Sequence, residues 1–270
     1  MAEVTGPPVE APITYASLPM RISVCVITLN EEANLGRCLD SCRSVADEVV
    51  VVDSGSTDAT RSIAESHGAT WRHHDWKGFV EQKNYALEQA SGDWILSLDA
   101  DEALSTELVS AIAELKRSKN DLAYDWYEVS RLTYHEGRWI RHGDWYPDRL
   151  PRLFKRGAYS FVGGKVHERL DVRGEGGLLK GDLQHYSYRD AHDYWMRCAK
   201  YARLWAESKY HEGKRVSKMA AVSHCLWCLL KGYFLKRGFL DGYAGFQIAM
   251  FSSCATYLKY TLLHNRQNNR

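Results

Sequence analysis

Asp99-Ala-Asp101 is the pair of residues in this chain with the most direct chemical use. At a strand end, carboxylates two positions apart fall on one side, with the residue between them turned away. Two hard oxygen donors that close suit Mg²⁺ or Mn²⁺, and Mg²⁺ usually completes its shell with substrate phosphates and water. Exposed acidic turns carry the same pattern, so position has to decide. Two more polar clusters precede it, Asn30-Glu31 and Asp53-Ser-Gly-Ser-Thr-Asp58, and Gln82-Lys83-Asn84 stands between. Cys225 and Cys228 form a C-x-x-C, but inside the apolar run Met219–Leu230 and with no second pair nearby. They read as helical thiols rather than a metal or redox site. No H-E-x-x-H occurs, which argues against a zinc hydrolase. Arg149, Arg152, Lys155 and Arg156 form a basic stretch that suits a phosphorylated or carboxylated ligand, and equally a solvated face. Trp139, Trp145 and Tyr146 have rings that can stack on sugars or fill a core.

The elements that must position these groups are legible. Ile22–Leu29 is a short, almost continuous apolar run, the signature of a strand buried on both faces. Glu48–Val52, Ala69–His73 and Trp94–Leu98 read as three more strands. Helices are expected over Glu32–Val45, Ala59–His67, Phe79–Ala90 and Ser105–Arg117, the last with Ser105 as N-cap. Four strand–helix alternations in about a hundred residues predict an open α/β sheet with crossover helices. Ligands of such sheets bind beyond the carboxyl ends of the strands. Asn30-Glu31, Asp53–Asp58 and Asp99–Glu102 all fall at those ends. Three acidic clusters at one edge repel, so stability alone does not explain them.

In this order the motifs resemble a family 2 glycosyltransferase of the GT-A fold. The matching residues are Thr28-Leu-Asn30-Glu31, then Val52-Asp53-Ser-Gly55-Ser56-Thr57-Asp58, then Lys83-Asn84, then Asp99 and Asp101. The resemblance implies a Rossmann-like nucleotide-sugar-binding sheet with a helical C-terminal extension. It implies a UDP-sugar donor bound by Thr28, Asn30, Glu31, Asp53, Ser56, Asp58, Lys83, Asn84 and Asp99. Asp53 would meet the base or ribose, and Lys83 the diphosphate. Asp99 and Asp101 would hold Mg²⁺ or Mn²⁺. The chain departs from the pattern at Ile27 and Leu29, where many members carry Pro and Tyr. Family 2 enzymes use an acidic base after the D-x-D region, which implies Glu168 here, with Asp148 second. His167, Arg149 and Arg152 would then meet the acceptor. Three further segments, Arg149–Arg156, Val166–Leu170 and Leu183–Ser187, resemble bacterial lipopolysaccharide inner-core β-1,4-glucosyltransferases. That implies transfer of glucose to a lipid-linked glycan. Other sugars, a polyprenyl-linked acceptor, or a sugar nucleotidyltransferase remain as alternatives.

The chain's 270 residues suffice for a large core. The net charge of +1 excludes a uniformly basic nucleic-acid binder. That sum conceals an asymmetry: residues 1–200 carry net −7 and residues 201–270 net +8. Residues 1–20 are Pro-rich and lack the basic start and apolar run of a secretion signal, so they read as a disordered tail on a cytoplasmic protein. Seven cysteines, an odd number without framework spacing, fit a reducing compartment. The catalytic domain is expected over 21–190, and a helical, basic region over 191–270. Gly242–Leu258 carries no charge but is short for a spanning helix. Its basic and aromatic flanks suit a helix at the inner-membrane surface, and ordinary packing on the catalytic domain is the alternative.

Overall fold

The computed structural model describes residues 20–118, 122–163 and 168–268. The chain begins with alternating strands and helices: β1 (Ile22–Thr28), α1 (Leu35–Cys42), β2 (Glu48–Asp53), α2 (Thr60–Ser66), β3 (Thr70–His73), α3 (Phe79–Glu88) and β4 (Trp94–Asp99). Then come β5 (Glu102–Leu104), α4 (Thr106–Arg117), β6 (Trp126–His135), β7 (Arg138–Trp139), β8 (Asp148–Lys155), β9 (Phe161–Gly163), β10 (Glu168–Leu170) and β11 (Gly177–His185). The main sheet runs β3-β2-β1-β4-β8-β6-β11-β5, with β7 paired on β6. The first four neighbours are parallel; β4–β8, β8–β6 and β11–β5 are antiparallel, and β6–β11 is parallel. This is the expected GT-A-like mixed α/β architecture.

The parallel strands read as continuous apolar runs because both of their faces are covered. Ile22, Val24 and Val26 of β1 enter one core with Leu35 and Leu39 of α1 and Leu108 and Ile112 of α4. Cys25 enters the other with Ala86 of α3, Ile95, Phe154 and Phe161. Each fully buried Leu or Ile side chain stabilises the fold by about 1.5–3 kcal/mol. Ser105 caps α4 as expected, accepting from the Leu108 N–H at 3.2 Å. Helix α1 is shorter than expected. Asn30 is left-handed (φ 54), and a turn closed on the Glu31 carbonyl delays the helix to Leu35. Gly181 (φ +95) sits where β11 bulges against α4, and a Cβ there would fall 2.3 Å from the Leu108 nitrogen.

The helical region consists of α5 (Ala191–His211), α6 (Lys218–Leu229), a π-helical turn (Leu230–Leu235), a 3₁₀ turn (Gly238–Asp241) and α7 (Gly242–Asn268). Helix α7 buries Ala244, Gly245, Ile248, Ala249, Ser253 and Ala255. Gly242–Leu258 is therefore largely a packed segment rather than a surface one. No helix among the described residues is long and apolar enough to cross a membrane. The expected tail, residues 1–20, lies outside the described residues apart from Met20.

Candidate active site

Register places Thr28 beside Asp53, and Ile27 beside Asp99, so three strand ends meet at one edge. The turns beyond β1 and β2 are laced together. Asp53 is 2% exposed, and its Oδ2 accepts the N–H groups of Gly55 at 2.7 Å and Ser56 at 2.8 Å. The Ser56 hydroxyl donates to Asp53 and accepts the Asn30 N–H at 2.7 Å. Asn30 in turn accepts from the Thr57 N–H at 2.9 Å. Asp58 accepts from the N–H groups of Glu32 and Thr60. Asn30, Ser56 and Asp58 thus build the rim of the edge. Thr28 behaves differently. It lines the cleft below, and its buried hydroxyl has no hydrogen-bond partner among the described residues.

Beneath the cleft lies a charge network that the basic stretch did not reveal. Arg152 is 4% exposed and donates to Asp99 Oδ2 at 3.0 Å and to Glu102 Oε1 at 2.5 Å. Lys83, also 4% exposed, lies 3.0 Å from Asp99 Oδ1 and 3.5 Å from Glu168 Oε1. Burial disfavours the charged form of Asp99, but Lys83 and Arg152 override it and hold the carboxyl well below its ordinary range. Glu102, wholly buried, is pushed up by burial, and Arg152 only partly opposes this. Arg131 extends the network, donating to Asp148 at 2.7 and 3.0 Å.

A cleft of about 470 Å³ opens above this network. Thr28, Glu31, Asp99, Asp101, Arg131 and Glu168 line it, and so does His185 at the end of β11. His185 Nε2 lies 3.4 Å from Asp101 Oδ2. The pairing of β11 with β5 makes the contact: His185 is in register with Glu102, and the Tyr186 N–H donates to the Asp101 carbonyl at 2.9 Å. Burial pushes the Glu31 carboxyl up, the Asn34 amide opposes this, and the Asp101 charge adds to it. The far wall comes from the helical region through Arg197 and Tyr201 of α5, and from Trp76 and Phe79 before and at the start of α3.

Several sequence expectations are corrected. Asp99 Oδ2 accepts from Arg152, and Asp99 Oδ1 lies 3.0 Å from the Lys83 ammonium but accepts no hydrogen bond among the described residues. Asp101 lies beside His185. Among the described residues no three His, Cys, Asp or Glu cluster as a metal site. The pair fits a divalent cation that takes the rest of its shell from phosphate and water. Lys83 is buried under Asp99 and Glu168, and Arg131 and Arg197 are the cations that line the cleft. Asn84 spends its amide on strand β9, donating to the Phe161 carbonyl at 2.9 Å and accepting its N–H at 2.7 Å. Arg152 is too deeply buried to meet an acceptor, and Arg149 is exposed and does not line the cleft. Asp148 is held by Arg131 in a neighbouring groove, whereas Glu168 is in the cleft itself. His167 lies outside the described residues. Trp145 packs with Tyr188 and Tyr194 in a small core. Cys225 and Cys228 are free, half-buried thiols on α6. Sequence reading missed His185, Arg131, Arg197 and Trp76. For His185, the available signal was a polar residue closing an apolar-alternating strand, Leu179 to His185.

A family model described as Glycosyl transferase family 2 matches residues 23–170. The lipopolysaccharide core biosynthesis glycosyltransferase LpsC of Rhizobium meliloti is 31% identical over 91% of this chain and 92% of that protein. A protein of Rickettsia prowazekii named as an uncharacterized glycosyltransferase is also 31% identical, over 91% of this chain and 87% of its own length. A crystal structure of glucosyl-3-phosphoglycerate synthase from Mycobacterium tuberculosis with Mn²⁺, UDP and glucosyl-3-phosphoglycerate covers 44% of this chain and 45% of that one. Its identity is 26% and its TM-score 0.35, an overlap that carries no argument about ligands. Matched over more than half its length by the family model, and across nearly its whole length by glycosyltransferases, the chain belongs to glycosyltransferase family 2.

Proposed function

We propose that this enzyme is an inverting, divalent-cation-dependent hexosyltransferase. It moves a sugar, read as glucose, from a UDP-sugar to a hydroxyl of a lipid-linked glycan such as the lipopolysaccharide inner core. It works at the cytoplasmic face of the inner membrane. The observation that carries this reading is the convergence of Glu168, Asp101 and His185 in one cleft at the strand ends. The name of the Rhizobium meliloti relative supports the acceptor class. Glu168 is the base: its carboxylate takes the proton of the acceptor hydroxyl as that oxygen attacks the anomeric carbon. The bond from that carbon to the diphosphate breaks on the opposite face, releasing UDP with inversion. Lys83, 3.5 Å from Glu168, faces the carboxylate and aims it. Arg131 and Arg197 meet diphosphate charge from two walls. Asp101 and His185 would hold Mg²⁺ or Mn²⁺, which when bound supplies Lewis-acid neutralisation of the departing diphosphate. The Thr28 hydroxyl and the turns of Asn30 and Asp53 frame the nucleoside.

The test is UDP release and product formation with UDP-glucose, Mn²⁺ and a lipid-linked core acceptor. Glu168→Gln should keep donor binding by calorimetry and lose transfer by roughly 10²–10⁴-fold. Asp101→Ala should lose transfer with an unchanged circular dichroism melt. Unchanged turnover in Glu168→Gln would remove it as base. Synthesis of nucleotide-sugar from sugar phosphate, without transfer, would make the enzyme a nucleotidyltransferase.

A further inference from the structure

The helical region leaves a broad apolar face uncovered. Met219 is 69% exposed, Leu226 55% and Trp227 56% on α6; Phe234 is 56% and Leu235 66% on the π-helical turn. Tyr243, opening α7, is 75% exposed. Single exposed apolar residues are ordinary, but so many large ones within one short stretch of chain mark an interaction site. Charge indicates the occupant. From Gly213 to Leu240 there is no Asp or Glu, while Lys214, Arg215, Lys218 and Arg237 are all exposed. The nearest following carboxylate, Asp241, is 3% exposed and turned inward to accept the N–H groups of Arg141 and His142. Apolar anchors rimmed by cations, with the exposed Asp144 neutralised by Lys231 and Lys236, match the interface of an anionic bilayer.

We infer that α6, the π-helical turn and the start of α7 dock this enzyme in the plane of an anionic membrane surface. The inference rests on the reading of the acceptor as lipid-linked and specifies how the enzyme meets it. The face is coupled to the site. Lys231 and Lys236 of the π-helical turn and the residue after it hold Asp144 at 3.0 and 2.7 Å. Asp144 lines a polar groove of about 200 Å³ that shares Arg131 and His185 with the catalytic cleft. A headgroup standing in the docked membrane thus has a polar route to Asp101 and Glu168.

The full chain should float with vesicles of phosphatidylcholine containing 30% phosphatidylglycerol at low salt, and much less with phosphatidylcholine alone. Each surface cation contributes about five-fold to partitioning. Lys214→Gln, Arg215→Gln, Lys218→Gln and Arg237→Gln together should therefore weaken binding by more than about a hundred-fold. Leu226→Ser, Trp227→Ser and Leu235→Ser should abolish flotation. Both variants should still glucosylate a delipidated, water-soluble acceptor at the wild-type rate, which shows that they fold. Equal flotation of wild type and variants overturns the inference. So does a wild-type dimer by light scattering that the apolar variant splits, with no vesicle binding, which would give the face to a second copy. Transfer to the soluble acceptor without vesicle binding sinks the docking surface alone. Vesicle binding without transfer to any acceptor sinks the catalytic reading alone.

Discussion

Arg152 is the side chain on which the acid groups of the site depend. It is a buried cation; its partner Glu102 is wholly buried, and its partner Asp99 is 26% exposed at the floor of the cleft. Removing one member of such a network leaves the others buried and uncompensated, at a cost of about 3–5 kcal/mol. Arg152→Met should lower the urea midpoint by that margin and abolish transfer with it. An unchanged midpoint would mean that Asp99 and Glu102 take up protons at no cost. This role was not legible in the sequence. Arg152 stands in a run of basic residues that reads as a surface, and only the pairing of β8 with β4 and β6 turns it inward. The place of Asp101 and Glu168 in the cleft, by contrast, was legible from a local motif and a family pattern. His185 was not, because its partner is distant in sequence.

At the level of elements, the four strand–helix units of the first hundred residues were readable because strands buried on both faces must be apolar throughout. The three-residue strand β5 was not. Its first residue is Glu102, a buried acid that reads as part of a polar turn. Asn84 shows how an element aims the proposed base. It pins the edge of β9, whose partner β10 begins at Glu168. Asn84→Ala removes two hydrogen bonds worth about 1 kcal/mol each. The β9–β10 pair should then loosen, with kcat reduced about ten-fold or more, since small misplacements of a reacting group cost that much. Donor affinity by calorimetry should not change, because Asn84 faces the Phe161 backbone rather than the cleft. A fall in donor affinity with kcat preserved would return Asn84 to the donor side.

Across the whole molecule, the charge asymmetry of the sequence has a structural seam at Asp144. Burial raises its carboxyl, but Lys236 and Lys231 override this and hold it below the ordinary value. A carboxylate depressed on folding contributes stability that is full above its unfolded pKa, about 3.9, and lost as pH falls through the lower folded value. Asp144→Asn should therefore lower the urea midpoint at pH 7, modestly because the pair is partly exposed. The two proteins should converge as the pH drops towards about 2. A gap that persists in acid would mean that Asp144 acts through packing rather than charge. Helix α5 begins at Ala191, one residue past the expected end of the catalytic domain, and its Arg197 and Tyr201 line the cleft. The β5–β11 pairing has a consequence for the growing chain. Asp101 leaves the ribosome more than eighty residues before His185, and only antiparallel closure of β11 onto β5 joins them. Such long-range pairing is a late, slow step. A nascent chain therefore has its D-x-D carboxylates in place without the imidazole beside them. The Asp101–His185 contact, and with it the finished cleft, arrives only when the last strand docks.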